Sequence, residues 1–231
     1  LNFVRTARTT LRANWSVIAF IAMMLMFRSA LADWMVVPSG SMNPTIVEGD
    51  RVLVNKLVFG LRVPFTTLHL TAGENPARGD IVVFDSPNSS ITLIKRVIGL
   101  PGDVIEMRDE QVSVNHQALA YTALAASQDA DMLQSSRAER HQLATELLPG
   151  KTHAVMALPD RAAMRDFGPL VVPPGQYFMM GDNRDNSEDS RFIGSVPRRL
   201  IVGRASKVLV SLNPEHDWLP RTDRFLKPLD D

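Results

Sequence analysis

The chain has 231 residues, 25 Lys and Arg against 25 Asp and Glu, and no cysteine. That length allows one or two domains with a sizeable core. The zero formal charge argues against holding nucleic acid by bulk phosphate attraction, and the missing cysteines exclude disulfides, thiolate nucleophiles and Cys-based metal sites.

The chain opens on Arg5, Arg8 and Arg12 with no acid among its first 14 residues. Thirteen uncharged residues follow, from Trp15 to Phe27. As helix they span about 20 Å, short of a hydrocarbon core of roughly 30 Å. Continuing to Val37 gives the length, with Arg28 and Asp33 near a headgroup layer and Trp15 and Trp34 at the interfaces. The expected organisation is a cytoplasmic segment over 1–13, one transmembrane helix over 14–35 and an extracytoplasmic body over 36–231. The arginines set that orientation. A cleaved signal peptide ending at Ala30-Leu31-Ala32 and a buried core helix are the competing readings. The chain begins with Leu1, which leaves upstream sequence or a second anchor open.

Beyond Val36 the pattern is β. Strands are expected at 51–55, 80–84, 91–98, 104–107, 111–114, 170–172, 176–180 and 201–212, each next to turn residues such as Glu48-Gly49-Asp50 and Pro101-Gly102-Asp103. The expected class is mainly β, with antiparallel sheets forming a sandwich or partly open barrel. Residues 117–168 break the rhythm and read as a variable insertion, partly mobile, with a polar helix possible over 123–148 and strand near 153–157. Residues 213–231 read as a polar tail with little signal.

Four features carry candidate chemistry. Pro38-Ser39-Gly40-Ser41-Met42-Asn43-Pro44-Thr45 is either a Ser/Gly linker or a tight loop presenting a serine nucleophile with nearby oxyanion donors. Lys95 shares a strand face with Ile91, Leu93 and Val97. It is either an edge lysine reaching water or a desolvated one, whose neutral amine accepts a proton near neutral pH. Gly181 to Arg191 is dense in acids, but Arg184 falls where a calcium loop wants a ligand, so a turn locked by Asp–Arg pairs is expected. His69, His116, His141, His153 and His216 have no metal-ligand spacing and read as isolated loop or surface residues.

Taken in order, Pro38–Thr45, Arg78–Phe84 (RGDIVVF), Lys95–Asp103 (KRVIGLPGD) and Gly181–Arg191 resemble the successive sequence boxes of bacterial signal peptidase I. The resemblance covers roughly 28–110 and 168–206. It implies a membrane-bound Ser/Lys endopeptidase of all-β fold that removes signal peptides from exported precursors after an Ala-x-Ala-like site. Matched position by position, Ser41 falls on the nucleophile, Lys95 on the general base, Ser39 on the oxyanion-hole hydroxyl and Ser187 on the serine that orients the lysine. Arg96 with Asp182, and Asp189 with Arg191, fall on structural ion pairs. Val37, Pro38, Met42, Ile46, Phe84, Leu93 and Ile94 fall on the substrate-pocket walls, and Met179 and Met180 on apolar cover for the lysine. Leu93 stands where the family commonly has an aromatic.

The resemblance further implies no cofactor and no metal. It implies precursor proteins and membrane lipid as partners, no nucleic acid, a monomer, and a place in the bacterial inner membrane with the catalytic domain on the periplasmic side. Competing readings are a peptidase dedicated to one secretion system, a self-cleaving repressor and a non-catalytic membrane-tethered binder. Ala30-Leu31-Ala32 is also a candidate for self-cleavage.

Overall fold

The structure, a computed structural model, describes residues 14–30, 32–61, 63, 70–124 and 140–229. Segment 1–13, Leu31, His69 and part of the expected insertion (125–139) lie outside the described residues.

A helix, α1, covers Trp15–Ala30, 16 residues with Trp15, Phe20, Met23 and Leu25 exposed. Among the described residues, no helix is long and apolar enough to cross a membrane. The helical conformation stops at Ala30 rather than continuing to Val37. Strand β1 (Ala32–Val36) takes over and pairs with β2 (Asp50–Asn55), from Ala32 opposite Asn55 to Val36 opposite Arg51. The alternation Ala-Asp-Trp-Met-Val suits a half-buried edge strand: Met35 packs on the core while Trp34 and Val36 are exposed.

Next come β3 (Ile81–Asp85), β4 (Thr92–Gly99), β5 (Val104–Arg108), β6 (Gln111–Val114), β7 (Gln117–Ala118), β8 (Ala120–Ala123), β9 (Gln142–Leu148) and β10 (Lys151–Ala157). They are followed by β11 (Phe167–Val171), β12 (Gln176–Met180), a short helix α2 (Ser190–Ile193), β13 (Val196–Pro197), β14 (Ile201–Asn213) and β15 (Leu219–Pro220). The chain is mainly β, and its paired strands are antiparallel. One large sheet runs β1-β2-β14-β3-β4-β12-β13, with β15 added beside β14. The 13 residues of β14 pair with both β2 and β3, and register shifts at Ala205/Lys207 and Val208/Val210 let this strand bend the sheet into a curl. Smaller sheets β10-β9-β8 and β11-β5-β6-β7 flank it, in place of a simple two-sheet sandwich.

Strand β4 organises the core. It lies inside the large sheet between β3 and β12, and every residue from Ile94 to Gly99 is buried. Ile94 packs with Val37, Met42 and Ile46, Val97 with Val82, Phe84 and Met179, and Ile98 with Ile105 and Phe178. Both faces are thus covered, and the strand reads as a nearly continuous apolar run interrupted by Lys95 and Arg96. An interior strand cannot carry an edge lysine that reaches water.

Two segments depart from the sequence expectation. Gln142–Leu148 is a strand, although Gln, Leu, Ala and Glu all favour helix. Its pairing with β10 over seven residue pairs, turned at Pro149-Gly150 with Gly150 at φ 88°, overrides that propensity. The tail is also anchored: Arg221, Arg224 and Leu229 are buried, and Arg224 makes paired bonds to the buried Asp50 (Nη2–Oδ2 2.7 Å, Nε–Oδ1 3.2 Å).

Candidate active site

The loop after β1 closes where Val37 N donates to Asp50 O at 2.9 Å and Gly49 N donates to Val37 O at 3.0 Å. Within it, Gly40–Met42 makes a buried 3-10 turn. Ser39, extended and exposed, sits at the start of this turn, and its hydroxyl makes no capping bond. Ser41 is the centre of the turn. Two arginines of the tail hold the rest of the loop: Arg224 Nη2 donates to Thr45 O at 3.1 Å, and Arg221 Nη2 donates to Glu48 O.

Lys95, 54 residues further along the chain, reaches this turn from β4, and its Nζ donates to Ser41 Oγ at 2.6 Å. The lysine is only 2% exposed. Burial pulls its amine from the ordinary 10.5 down to about 8, against the carboxylates of Asp189, Asp182 and Glu188, which push it up. A lysine in that range is part neutral near neutral pH, so the pair can move a proton from the serine hydroxyl.

The third component is the turn after β12. A Cβ on Gly181 would stand 2.3 Å from Ser187 Oγ and 2.4 Å from Ser41 O, so only glycine allows these groups to close on one another. Gly181 N donates to Asp189 Oδ2 at 3.0 Å. Asp189 caps α2 by accepting from Arg191 N at 3.2 Å, and it binds the Arg191 guanidinium at 2.9 and 2.8 Å. Arg96 grips Asp182 with two parallel bonds of 2.8 Å, the fork geometry that suits a buried pair. Burial pushes both carboxyls up, but Arg96 holds Asp182, and Arg191 holds Asp189, below the usual carboxylate range. Thr45 Oγ1 donates to Asp182 Oδ2 at 2.5 Å, tying this turn to the Ser41 loop.

The structure therefore brings together Ser41, Lys95, Asp182 and Arg96, and sets Ser187 against Gly181 beside the Ser41 carbonyl. The expected wall residues divide between two clusters. Val37, Met42, Ile46 and Ile94 share one buried cluster, Phe84 and Leu93 belong to a second on the other face of the sheet, and Pro38 is exposed. Met179 and Met180 are buried on β12 opposite Val97 and Arg96, in separate clusters.

Several residues here escaped the sequence reading. Asn183 N donates to Ser41 O at 3.2 Å and its Nδ2 donates to Gly40 O at 3.0 Å, so this side chain and backbone together brace the serine turn. An Asn directly after Gly-Asp in a polar turn is the signal that points to it. His153 corrects the expectation of isolated surface histidines. It is buried on β10, with Nε2 3.3 Å from Glu146 and 3.8 Å from Asp182. Burial draws its imidazole down to about 4, so it is neutral at neutral pH. Glu146, Arg184 and Tyr121 complete that cluster; Arg184 lies in the polar turn expected to hold Asp–Arg pairs, whereas no local pattern points to Glu146 or Tyr121.

The family model described as "Signal peptidase, peptidase S26" matches residues 10–210. The signal peptidase I of Pseudomonas fluorescens is 38% identical over 213 residues, spanning 87% of this chain and 72% of its own length. That of Pseudomonas aeruginosa is 36% identical over 215 residues, with the same two coverages. That of Aquifex aeolicus is 34% identical over 229 residues, covering 84% of each chain. A solved signal peptidase I from Enterococcus faecalis is 28% identical and aligns at a TM-score of 0.35, over 58% of this chain and 98% of its own.

Proposed function

The chain belongs to the signal peptidase, peptidase S26, family and is a serine peptidase, and from that premise we propose that it cleaves signal peptides from exported precursors with Ser41 as nucleophile and Lys95 as general base. The observation that carries this reading is the 2.6 Å approach of a desolvated lysine amine to a serine hydroxyl.

In the reactive form the amine is neutral and the hydroxyl donates to it. Ser41 Oγ attacks the scissile carbonyl while Lys95 Nζ takes the proton. The oxyanion is met by the Ser41 N–H and the Ser39 hydroxyl, which is not used in capping the turn. The lysine returns the proton to the leaving amine, and the mature protein departs. Water, deprotonated by the same amine, then releases the signal peptide from the acyl-enzyme. Ser187 orients the lysine amine, while the Arg96–Asp182 and Arg191–Asp189 pairs fix the frame.

The substrate lies extended. Val37, Pro38, Met42, Ile46, Phe84, Leu93 and Ile94 line shallow apolar pockets that admit Ala or Gly and reject larger side chains by overlap. Leu93, in place of an aromatic, widens one pocket. The enzyme acts as a monomer at the bacterial inner membrane, with its β domain outside. The apolar exposed side chains of α1 support membrane contact there, and Trp15 and Trp34 suit the two interfaces.

Assay of the detergent-solubilised full chain on an Ala-x-Ala precursor tests the central reading. Ser41→Ala and Lys95→Ala are each expected to abolish cleavage. Near-normal turnover by either would overturn the pair. Fractionation that leaves the protein in the soluble pool would overturn the anchor while leaving the chemistry intact.

A further inference from the structure

The hairpin β9–β10 lies behind the 181–191 turn and carries a buried polar cluster with no part in the chemistry above. Glu146, on the central strand of its sheet, is fully buried. It accepts from Arg184 Nη2 at 2.7 Å and from the Tyr121 hydroxyl, and faces His153 Nε2 at 3.3 Å. Arg184 Nε and Nη1 are buried and find no hydrogen-bond partner among the described residues, so Glu146 alone holds that guanidinium by hydrogen bonds. A buried carboxylate and guanidinium kept at this cost call for a reason beyond stability.

The backbone supplies one. Met156 N donates to Asp182 O and Arg184 N donates to Met156 O, both at 2.8 Å, so the 182–184 segment lies along β10 as a short added strand. Between those two anchor points, Asn183 turns the other way and binds Gly40 O and Ser41 O. The path from β9 to the serine turn is therefore Glu146 to Arg184, then Asn183, then Ser41. We infer that Glu146 is a positioning residue, which sets Ser41 against Lys95 by holding Arg184 and, through it, the Asn183 brace. The inference rests on the Ser/Lys reading above and adds the sheet β8–β10 to what makes that pair reactive.

The mechanism of the effect is geometric. Displacing a reacting group by about 1 Å costs on the order of 10²-fold in rate. Freeing Arg184 loosens the Asn183 brace on the Ser41 carbonyl and, with it, the packing around the buried Lys95. Of the wall residues only Met42 lies in the Gly40–Met42 turn, and Ile46, Phe84, Leu93 and Ile94 lie outside it, so substrate grip is expected to change less than turnover.

The test uses the full chain in detergent, with active sites counted by a serine-acylating probe and turnover measured across pH. Glu146→Ala is expected to lower kcat per labelled site by about tenfold or more with KM within about threefold. It should also move the ascending limb of the pH profile upward, as water reaches Lys95. Glu146→Gln, which keeps an acceptor for Arg184, should recover a large part of kcat. The double variant Glu146→Leu with Arg184→Leu removes both buried charges, so it folds without a stranded ion, and it should still show low kcat. Arg140→Ala, which breaks the exposed Arg140–Asp160 pair near this hairpin, should leave turnover unchanged. A merely structural role would lower the folded fraction only. Unchanged kcat per labelled site and an unmoved pH limb in both Glu146→Ala and the double variant would overturn the inference. Absence of Ser41 labelling in the wild type would instead overturn the Ser/Lys reading, and this inference with it.

Discussion

Gly181 is the contact surface between Ser187 and the Ser41 carbonyl: a Cβ there would stand 2.3 Å from the one and 2.4 Å from the other. The Ser187 hydroxyl can rotate away from such an intruder, but the Ser187 Cβ, at 2.6 Å, and the Ser41 carbonyl cannot move without shifting their own backbone. Gly181→Ala is therefore expected to fold but to push Ser41 away from Lys95, with loss of about 10²-fold in acylation rate. Comparing the rate of probe labelling with thermal unfolding separates the two effects. Wild-type labelling in a folded Gly181→Ala variant would contradict the packing argument.

The pH dependence follows from Lys95. Burial brings its amine to about 8, and in the proposed mechanism the neutral form is the active one. Turnover should rise about tenfold per pH unit below pH 8 and level off above it. Lys95→Arg should be inactive at every pH, because a guanidinium keeps its proton. A profile flat from pH 6 to 10 would contradict the assignment.

The same shift has a cost in stability, with a definite sign. The amine is easier to deprotonate in the folded state, at about 8, than at its ordinary 10.5. Burial of its charge therefore opposes folding fully below pH 8, and the penalty fades as pH rises towards 10.5. At pH 7 it amounts to about 3 kcal/mol. Lys95→Met should accordingly be inactive but more stable than wild type in urea at pH 7, with the advantage shrinking by pH 10. Equal or lower stability at pH 7 would argue that the lysine is not desolvated.

The tail is part of the frame that holds the Ser41 loop. Arg224 binds Asp50 through two of its nitrogens and also holds Thr45 O, next to the Asn43-Pro44 turn. Arg224→Ala leaves a buried carboxylate without its partner and should destabilise the domain by about 3–5 kcal/mol. Replacing both charges, Asp50→Leu with Arg224→Leu, should recover part of that loss. Denaturant titration of the single and double variants measures it.

What the sequence made legible follows from locality. Strands β2 to β6, β12 and β14, and part of β11, are readable because short apolar runs end at Gly, Pro or Asp turns. The positions of Ser41, Lys95, Asp182 and Arg191 stood out because they lie in compact motifs. Strand β10 is expected near 153–157, but its partner β9 is hidden for the opposite reason. Its buried charge, Glu146, looks like a solvated residue in a helix-favouring stretch, and its partners Arg184 and Tyr121 are 38 and 25 positions away. His153 is equally illegible, since the groups it lies against, Glu146 and Asp182, come from distant parts of the chain. Ala32 also changes meaning. It is the first residue of β1, opposite Asn55, so the Ala-Leu-Ala segment leads directly into an edge strand of the large sheet.

The most direct test is intact-protein mass spectrometry after treatment with a serine-acylating inhibitor at pH 8. A single adduct located on Ser41 is expected, lost in Ser41→Ala and lost or greatly slowed in Lys95→Met at unchanged fold. Labelling elsewhere in the chain, or labelling of Ser41 at the wild-type rate without Lys95, would contradict it.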